Sequence, residues 1–136
     1  AGDPAVAASL RDAYERLRNL GDGEVLSLLR GRLPGLDEGD LATLGRAAEL
    51  GLLDLREVSS LLLWLAGALG LRVAGVGLAE DPETKELLFL AVYLDGCGWD
   101  DWGALEGLAK GRLAEEGFPG LAGRVALVCR GALRDP

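Results

Sequence analysis

The sequence contains no histidine, methionine, isoleucine or glutamine, and a single asparagine, Asn19. Without histidine there is no imidazole base, no Ser-His or Cys-His pair and no histidine-containing zinc site. Without methionine the other common axial ligand of haem is missing too. Proton transfer is left to Asp, Glu, Cys, Tyr and Lys, and lysine occurs only at Lys85 and Lys110. Depletion of Asn, Gln and Met matches the loss of thermolabile residues in thermophiles, whereas scarce lysine runs the other way. A thermophilic source is one reading of this bias, and GC-rich coding is the other.

Long apolar runs are also lacking. The most apolar stretch, Leu61 to Leu71, is far shorter than the ~20 residues of a membrane helix, so it reads as a core helix and no membrane is expected as a partner. Ala1-Gly2-Asp3-Pro4 has neither the basic nor the apolar region of a signal peptide, and the default expectation is a cytoplasmic protein.

What is present is 136 residues, 49% hydrophobic and 26% charged, with a formal charge of −8. That is the size of one domain, expected to span 1–136 with a helical part, 1–70, and a strand-strand-helix-strand part, 71–136. The acidic excess is shared evenly between the two parts, so neither is a charged tail. A phosphate backbone would meet net repulsion, and nucleic acid is not an expected partner.

Four helices are predicted in the first part. Asp3 and Pro4 offer an N-cap and N1 proline for a helix with Val6, Leu10, Tyr14 and Leu17 on one face, stopped by Gly21. A short second helix is expected over Glu24 to Arg30. Asp37 caps a third, carrying Leu41, Leu44 and Ala48 and ending at Gly51. The fourth has the strongest local code: Asp54 as N-cap, Glu57 at N3 in a capping box, and Leu53 with Val58 as a hydrophobic staple. Its apolar residues, Leu55 to Leu69, cover nearly all sides, which predicts burial on most faces and ends at Gly70. Ala47, Gly51 and Val58 weakly resemble a helix-turn-helix spacing. The would-be recognition helix offers only Arg56 as a base, so two packed helices account for it better.

After Gly70 the period changes. Leu71 to Leu78 reads as a strand interrupted by glycines, Glu86 to Leu94 as a strand apolar on both faces, and Arg124 to Cys129 as a third. Asp100 or Asp101 is expected to cap a helix with Trp102, Leu105, Ala109 and Leu113 on one face. Phe118-Pro119-Gly120 reads as a turn. The fold class is therefore α+β: about four helices packed on a three-stranded mixed sheet, with the second and third strands parallel and the first antiparallel to the second. This order resembles a ferredoxin-like sheet lacking its first strand, a likeness of element order that carries no functional residues.

The topology gathers chemistry at one sheet edge. Cys97, just past the second strand, and Cys129, at the end of the third, are expected to be neighbours, with Cα atoms within about 7 Å. Two reduced cysteines are the default in a cytosolic protein, a disulfide being expected in a hyperthermophile. The loop Asp95-Gly96-Cys97-Gly98-Trp99-Asp100-Asp101-Trp102 leads into a helix N-terminus at the same edge. Its three aspartates would repel a phosphate but could serve a divalent cation through Asp95, Asp100 and Asp101; helix capping explains the same residues. Trp99 and Trp102 are the candidate interaction residues. Glu80, Asp81, Glu83 and Glu86 beside Lys85 include a Glu-Thr-Lys that resembles the Glu-x-Lys of metal-dependent nucleases, but a solvated hairpin turn accounts for it.

Three function classes follow. The leading one is a non-catalytic interaction or accessory subunit, with self-association or a protein partner at an open sheet edge or uncovered apolar face and with no cofactor. The second is a small metal-dependent hydrolase or cation-binding protein using the Asp95 to Asp101 loop. The third is a thiol-based redox protein, which the lack of a Cys-x-x-Cys motif disfavours.

Overall fold

A computed structural model describes residues 9–80, 82–84 and 87–130, leaving aside the side chains of Leu87, Leu88 and Trp99. Asp3, Pro4 and Val6, and in the hairpin Asp81, Lys85 and Glu86, lie outside the described residues. The chain runs α1 (Leu10–Leu17), α2 (Asp22–Arg32), α3 (Glu38–Glu49), α4 (Leu55–Gly67), β1 (Arg72–Glu80), β2 (Leu87–Asp95), α5 (Trp99–Glu115), α6 (Pro119–Ala122) and β3 (Val125–Cys129). It is the expected α+β arrangement, with four helices ahead of a three-stranded mixed sheet.

Helix α4 is the centre of the core. Nine of its 13 residues are buried, among them Leu61, Leu62, Leu63, Trp64 and Leu65 in succession. These close an unbroken buried run from Val58 to Leu65, and a helix so buried meets neighbours on every side, which here include α1, α2, α3 and β1. Burial on that scale also rules out the helix-turn-helix reading. Arg56, its one base, instead donates from Nε to the Leu20 carbonyl at 3.0 Å and pairs with Asp22 at 3.2 Å, holding the α1–α2 connection.

Local codes set most helix ends. Asp37 and Asp40 form a reciprocal capping box at the start of α3. At its end, Gly51 takes φ +74°, while the Gly51 and Leu52 N–H groups donate to the Ala48 and Ala47 carbonyls, a Schellman closure. Asp54 accepts from the backbone N–H groups of Arg56 and Glu57, at 2.9 and 3.1 Å. The reciprocal half of the expected box is not made. Glu57 is partly buried close to Asp54, and its carboxyl is pushed above the usual range first by desolvation and then by the Asp54 charge, with Arg11 opposing.

Three other expectations need correction. Helix α1 begins at Leu10, because Ser9 has extended backbone and accepts from the Asp12 N–H; a helix capped by Asp3 would have to run through that position. Gly21 does not stop α1 but is the N-cap of α2, which spans more than Glu24 to Arg30. Phe118-Pro119-Gly120 is not merely a turn: Pro119 opens the one-turn helix α6, where its missing N–H costs nothing.

In the sheet, β2 is central, antiparallel to β1 and parallel to β3. β3 pairs directly with β2, so no position is left for a further strand between them. Leu90, Val92 and Leu94 on β2 share the inner face with Val73, Val76, Val125, Leu127 and Cys129, all buried. The outer face carries Gly75, Gly77 and Ala79 on β1, Phe89, Ala91 and Tyr93 on β2, and Ala126 and Val128 on β3. Phe89 there is 36% exposed.

Both sheet edges are occupied by helices. On β1, the Val76 N–H donates to Asp40 Oδ1 at 3.3 Å, so Asp40 both caps α3 and holds an edge donor. Gly35, in the loop before α3, lies so close to β1 that a Cβ there would collide with the Val73 carbonyl oxygen, and only glycine fits. On β3, the Leu127 N–H donates to Glu106 Oε2 at 3.1 Å, and the Leu127 carbonyl accepts from Trp102 Nε1 at 2.6 Å, both side chains coming from α5. The open edge expected from the sequence is therefore covered at these points.

The first helix is tied to the far end of the chain. Glu116 Oε1 accepts the Arg11 backbone N–H, and the Arg11 guanidinium donates to the Glu116 carbonyl, each at 2.8 Å. A carboxylate thus meets the start of α1 and a cation the end of α5, the favourable sense for both helix dipoles. Arg11 also lies over the Phe118 ring, 4.6 Å from its centroid, and Phe118 meets Tyr14 edge-on.

Asp54→Ala should cost about 0.5–2 kcal/mol in denaturant unfolding, the range for a lost N-cap. Glu57→Gln should do the opposite at neutral pH. A raised folded pKa means that the folded state holds the proton more tightly, so Glu57 lowers stability as pH rises from the unfolded value through the folded one. The variant should therefore exceed wild type at pH 7 and lose its advantage below about pH 4. Equal pH profiles for the two proteins would remove this account of Glu57. Ser59→Ala, which deletes a buried hydroxyl with no partner among the described residues, should unfold at or above the wild-type midpoint.

Candidate functional site

The turn after β2 is built by one strained position and two cross-links. Gly96 has φ +97°, a backbone state that turns the chain out of the strand and favours glycine. On either side of it, Asp95 pairs with Arg130 at 3.5 Å and Cys97 forms a disulfide with Cys129. The Cα atoms of the two cysteines are 5.5 Å apart, within the spacing the topology predicts. Their state differs from the expected reduced pair: they are joined, and no free cysteine remains. The parallel alignment of β2 and β3 makes the bond geometrically possible, since it brings the loop after one strand beside the last residue of the other. Cys129 is fully buried, whereas Cys97 is half-buried.

The three aspartates are placed differently. Asp95 is held by the Arg130 guanidinium, while Asp100 and Asp101 are exposed in the first turn of α5. Neither is the N-cap. That position is Gly98, whose extended backbone leads into the helix and which has no side chain to offer the first N–H groups. Asp100 and Asp101 therefore act on the helix end through charge, in the favourable sense for its dipole. Among the described residues, no group of three or more Cys, Asp or Glu side chains is arranged to hold a metal ion.

Of the two candidate tryptophans, Trp102 is half-buried and has a structural task, its indole N–H donating to the β3 edge. The side chain of Trp99 lies outside the described residues. Beside Trp102, an open groove of about 570 Å³ is lined by Gly103, Glu106, Gly107 and Lys110. Its lining among the described residues comes from α5, with glycines at two of the positions and the Glu106–Lys110 ion pair, 3.7 Å, at its border. In the β1–β2 hairpin, Glu80 and Glu83 are exposed, as the solvated-turn reading requires.

What sequence reasoning missed is the pairing of α5 with the strand edge. Trp102 and Glu106 are four residues apart and so share a helix face, which was a usable signal, but the bonds run to backbone groups and those have no sequence signature. The chain has no significant match among protein-family models, curated proteins or solved structures. No helix among the described residues is long and apolar enough to cross a membrane.

Trp102→Phe should lower stability by about 0.5–1.5 kcal/mol, the net worth of one hydrogen bond, measured by denaturant unfolding. Asp100→Asn and Asp101→Asn should each cost about 0.3–1 kcal/mol through the helix dipole. Millimolar magnesium or calcium should leave the melting temperature unchanged. A rise in melting temperature that either asparagine variant abolishes would restore the cation-site reading.

Proposed function

We propose that this protein is a non-catalytic interaction module that pairs with a second copy of itself through the outer face of its sheet. The observation that carries the reading is the composition of that face. Its eight positions on three strands are Gly, Ala, Val, Phe and Tyr, with Phe89 36% exposed at its centre strand. The lack of charged side chains at those eight positions favours a like copy. Charges lie around them, with Arg72 opposite Asp95, Asp95 paired with Arg130, and Asp40 beside Gly75, and the −8 on each copy opposes pairing, so the dimer should tighten as salt screens that repulsion. A flat, uncharged strip is complementary to itself under a two-fold axis, and two such sheets stack about 10 Å apart. Pairing along the edges is disfavoured, because Asp40, Trp102 and Glu106 occupy backbone groups there.

A metal-dependent hydrolase on the Asp95 to Asp101 loop has less support, since Asp95 is engaged by Arg130 and the other two carboxylates face solvent. The disulfide favours an oxidising compartment, or the cytosol of a hyperthermophile, over the ordinary cytoplasm.

A three-stranded face lies at the small end of protein interfaces, so the expected dimer is weak and concentration-dependent. Sedimentation equilibrium from micromolar to millimolar protein should show a monomer–dimer equilibrium, and Phe89→Lys should abolish it without loss of folding. A monomer throughout that range, or a dimer indifferent to Phe89→Lys, would remove the reading.

A further inference from the structure

The disulfide and the edge-covering helix are next to each other in the chain, and that adjacency suggests a device. Helix α5 is poorly suited to stand alone at its N-terminal end. Its N-cap is Gly98, without a capping side chain, and Gly103, Gly107 and Gly111 recur every four residues. A Cβ at any of the three would meet nothing within 4 Å, so no packing among the described residues calls for glycine there. Each glycine lowers helix propensity. Its C-terminal half is anchored by buried Ala109 and Leu113 and by the Glu116–Arg11 bonds. Its first two turns are held by Cys97, one residue before the N-cap, by the bonds of Trp102 and Glu106 to Leu127, and by Leu105, which is only partly buried against the core.

We propose that the Cys97–Cys129 disulfide is a redox-sensitive latch: reduction releases the first two turns of α5 and uncovers the backbone edge of β3 at Leu127. The latch is independent of the proposed dimer, which uses the outer face of the sheet. A dithiol is the chemical class of reductant. Its thiolate attacks Cys97 Sγ, the half-buried sulfur; the Cys97–Cys129 bond breaks and its electron pair leaves on Cys129 Sγ, which takes up a proton. The second thiol of the reductant then displaces Cys97 Sγ, closing its own disulfide and leaving Cys97 as a thiol. Two electrons and two protons pass to the protein. Among the described residues the other ionic link between the loop and the end of β3 is the Asp95–Arg130 pair, each side chain 35% exposed and therefore screened by water. With the latch open, the low-propensity turns can fray, taking Trp102 and Glu106 away from Leu127.

Native-state amide hydrogen exchange at low urea concentrations tests this on the full chain with and without a dithiol. In the reduced protein, the amides of residues 102–107 and of Leu127 should exchange at least tenfold faster than those of Leu61 to Leu65, through an opening insensitive to urea. In the oxidised protein both groups should show the same steep urea dependence. If the reduced protein still exchanges 102–107 and Leu127 only together with the α4 core, the disulfide is a staple and the latch is wrong. The latch is also wrong if reduction unfolds the whole chain. A Cys97→Ser, Cys129→Ala double variant, which needs no reductant, should reproduce the urea-insensitive opening; α5 exchange indistinguishable from the oxidised wild type would equally overturn the proposal.

Discussion

Helix α4 has no side to leave in water, and that constraint orders the rest of the molecule. Five successive buried residues from Leu61 to Leu65 can be dry only if neighbours enclose the helix. The preceding helices supply part of that enclosure and β1 another part, which is why a chain of alternating short helices and a small sheet forms one core. The fixed start of α4 at Asp54 sets the register with which its leucines meet those neighbours.

Much of this was legible in the residues. The period of Leu41 and Leu44, the glycine at Gly51, the Asp54 cap and the change of period after Gly70 each have a local cause, and each is realised. The failures share a different character. Ser9 in place of Asp3 as the α1 cap, and Gly98 in place of an aspartate at α5, are choices between several residues able to begin a helix. At α1 a local cap and a distant one coincide: Ser9 accepts from the Asp12 N–H and Glu116 from the Arg11 N–H. Propensity cannot see a partner more than a hundred residues away.

The candidate site was legible in position more than in role. Parallel strands were enough to bring Cys97 beside Cys129, since that follows from topology alone. Whether the sulfurs are bonded depends on their surroundings and compartment, which no spacing encodes. The aspartates were readable as a group, yet the group dissolves because Arg130, far along the chain, claims Asp95. Trp102 was readable as part of the apolar face of its helix and as an interaction candidate, and its indole N–H is engaged within the chain at a strand edge. Its bond partner is a main-chain carbonyl, and any residue in the middle of β3 would have supplied the same one.

The bonds between Arg11 and Glu116 have a consequence for how the chain is made. Ribosomes add roughly 5–20 residues per second, so about 5 to 20 s separate the synthesis of the two partners. Throughout that interval the Arg11 N–H lacks its carboxylate acceptor and the guanidinium has only local partners, Glu15 at 3.8 Å and the Tyr14 ring, because Phe118 is not yet there to stack. Helix α1 can therefore dock on α4 through its buried Leu10, Ala13 and Leu17 well before its N-terminal end is closed. Early docking in the nascent chain falls to α1–α4, while the start of α1 stays open until Glu116 has emerged.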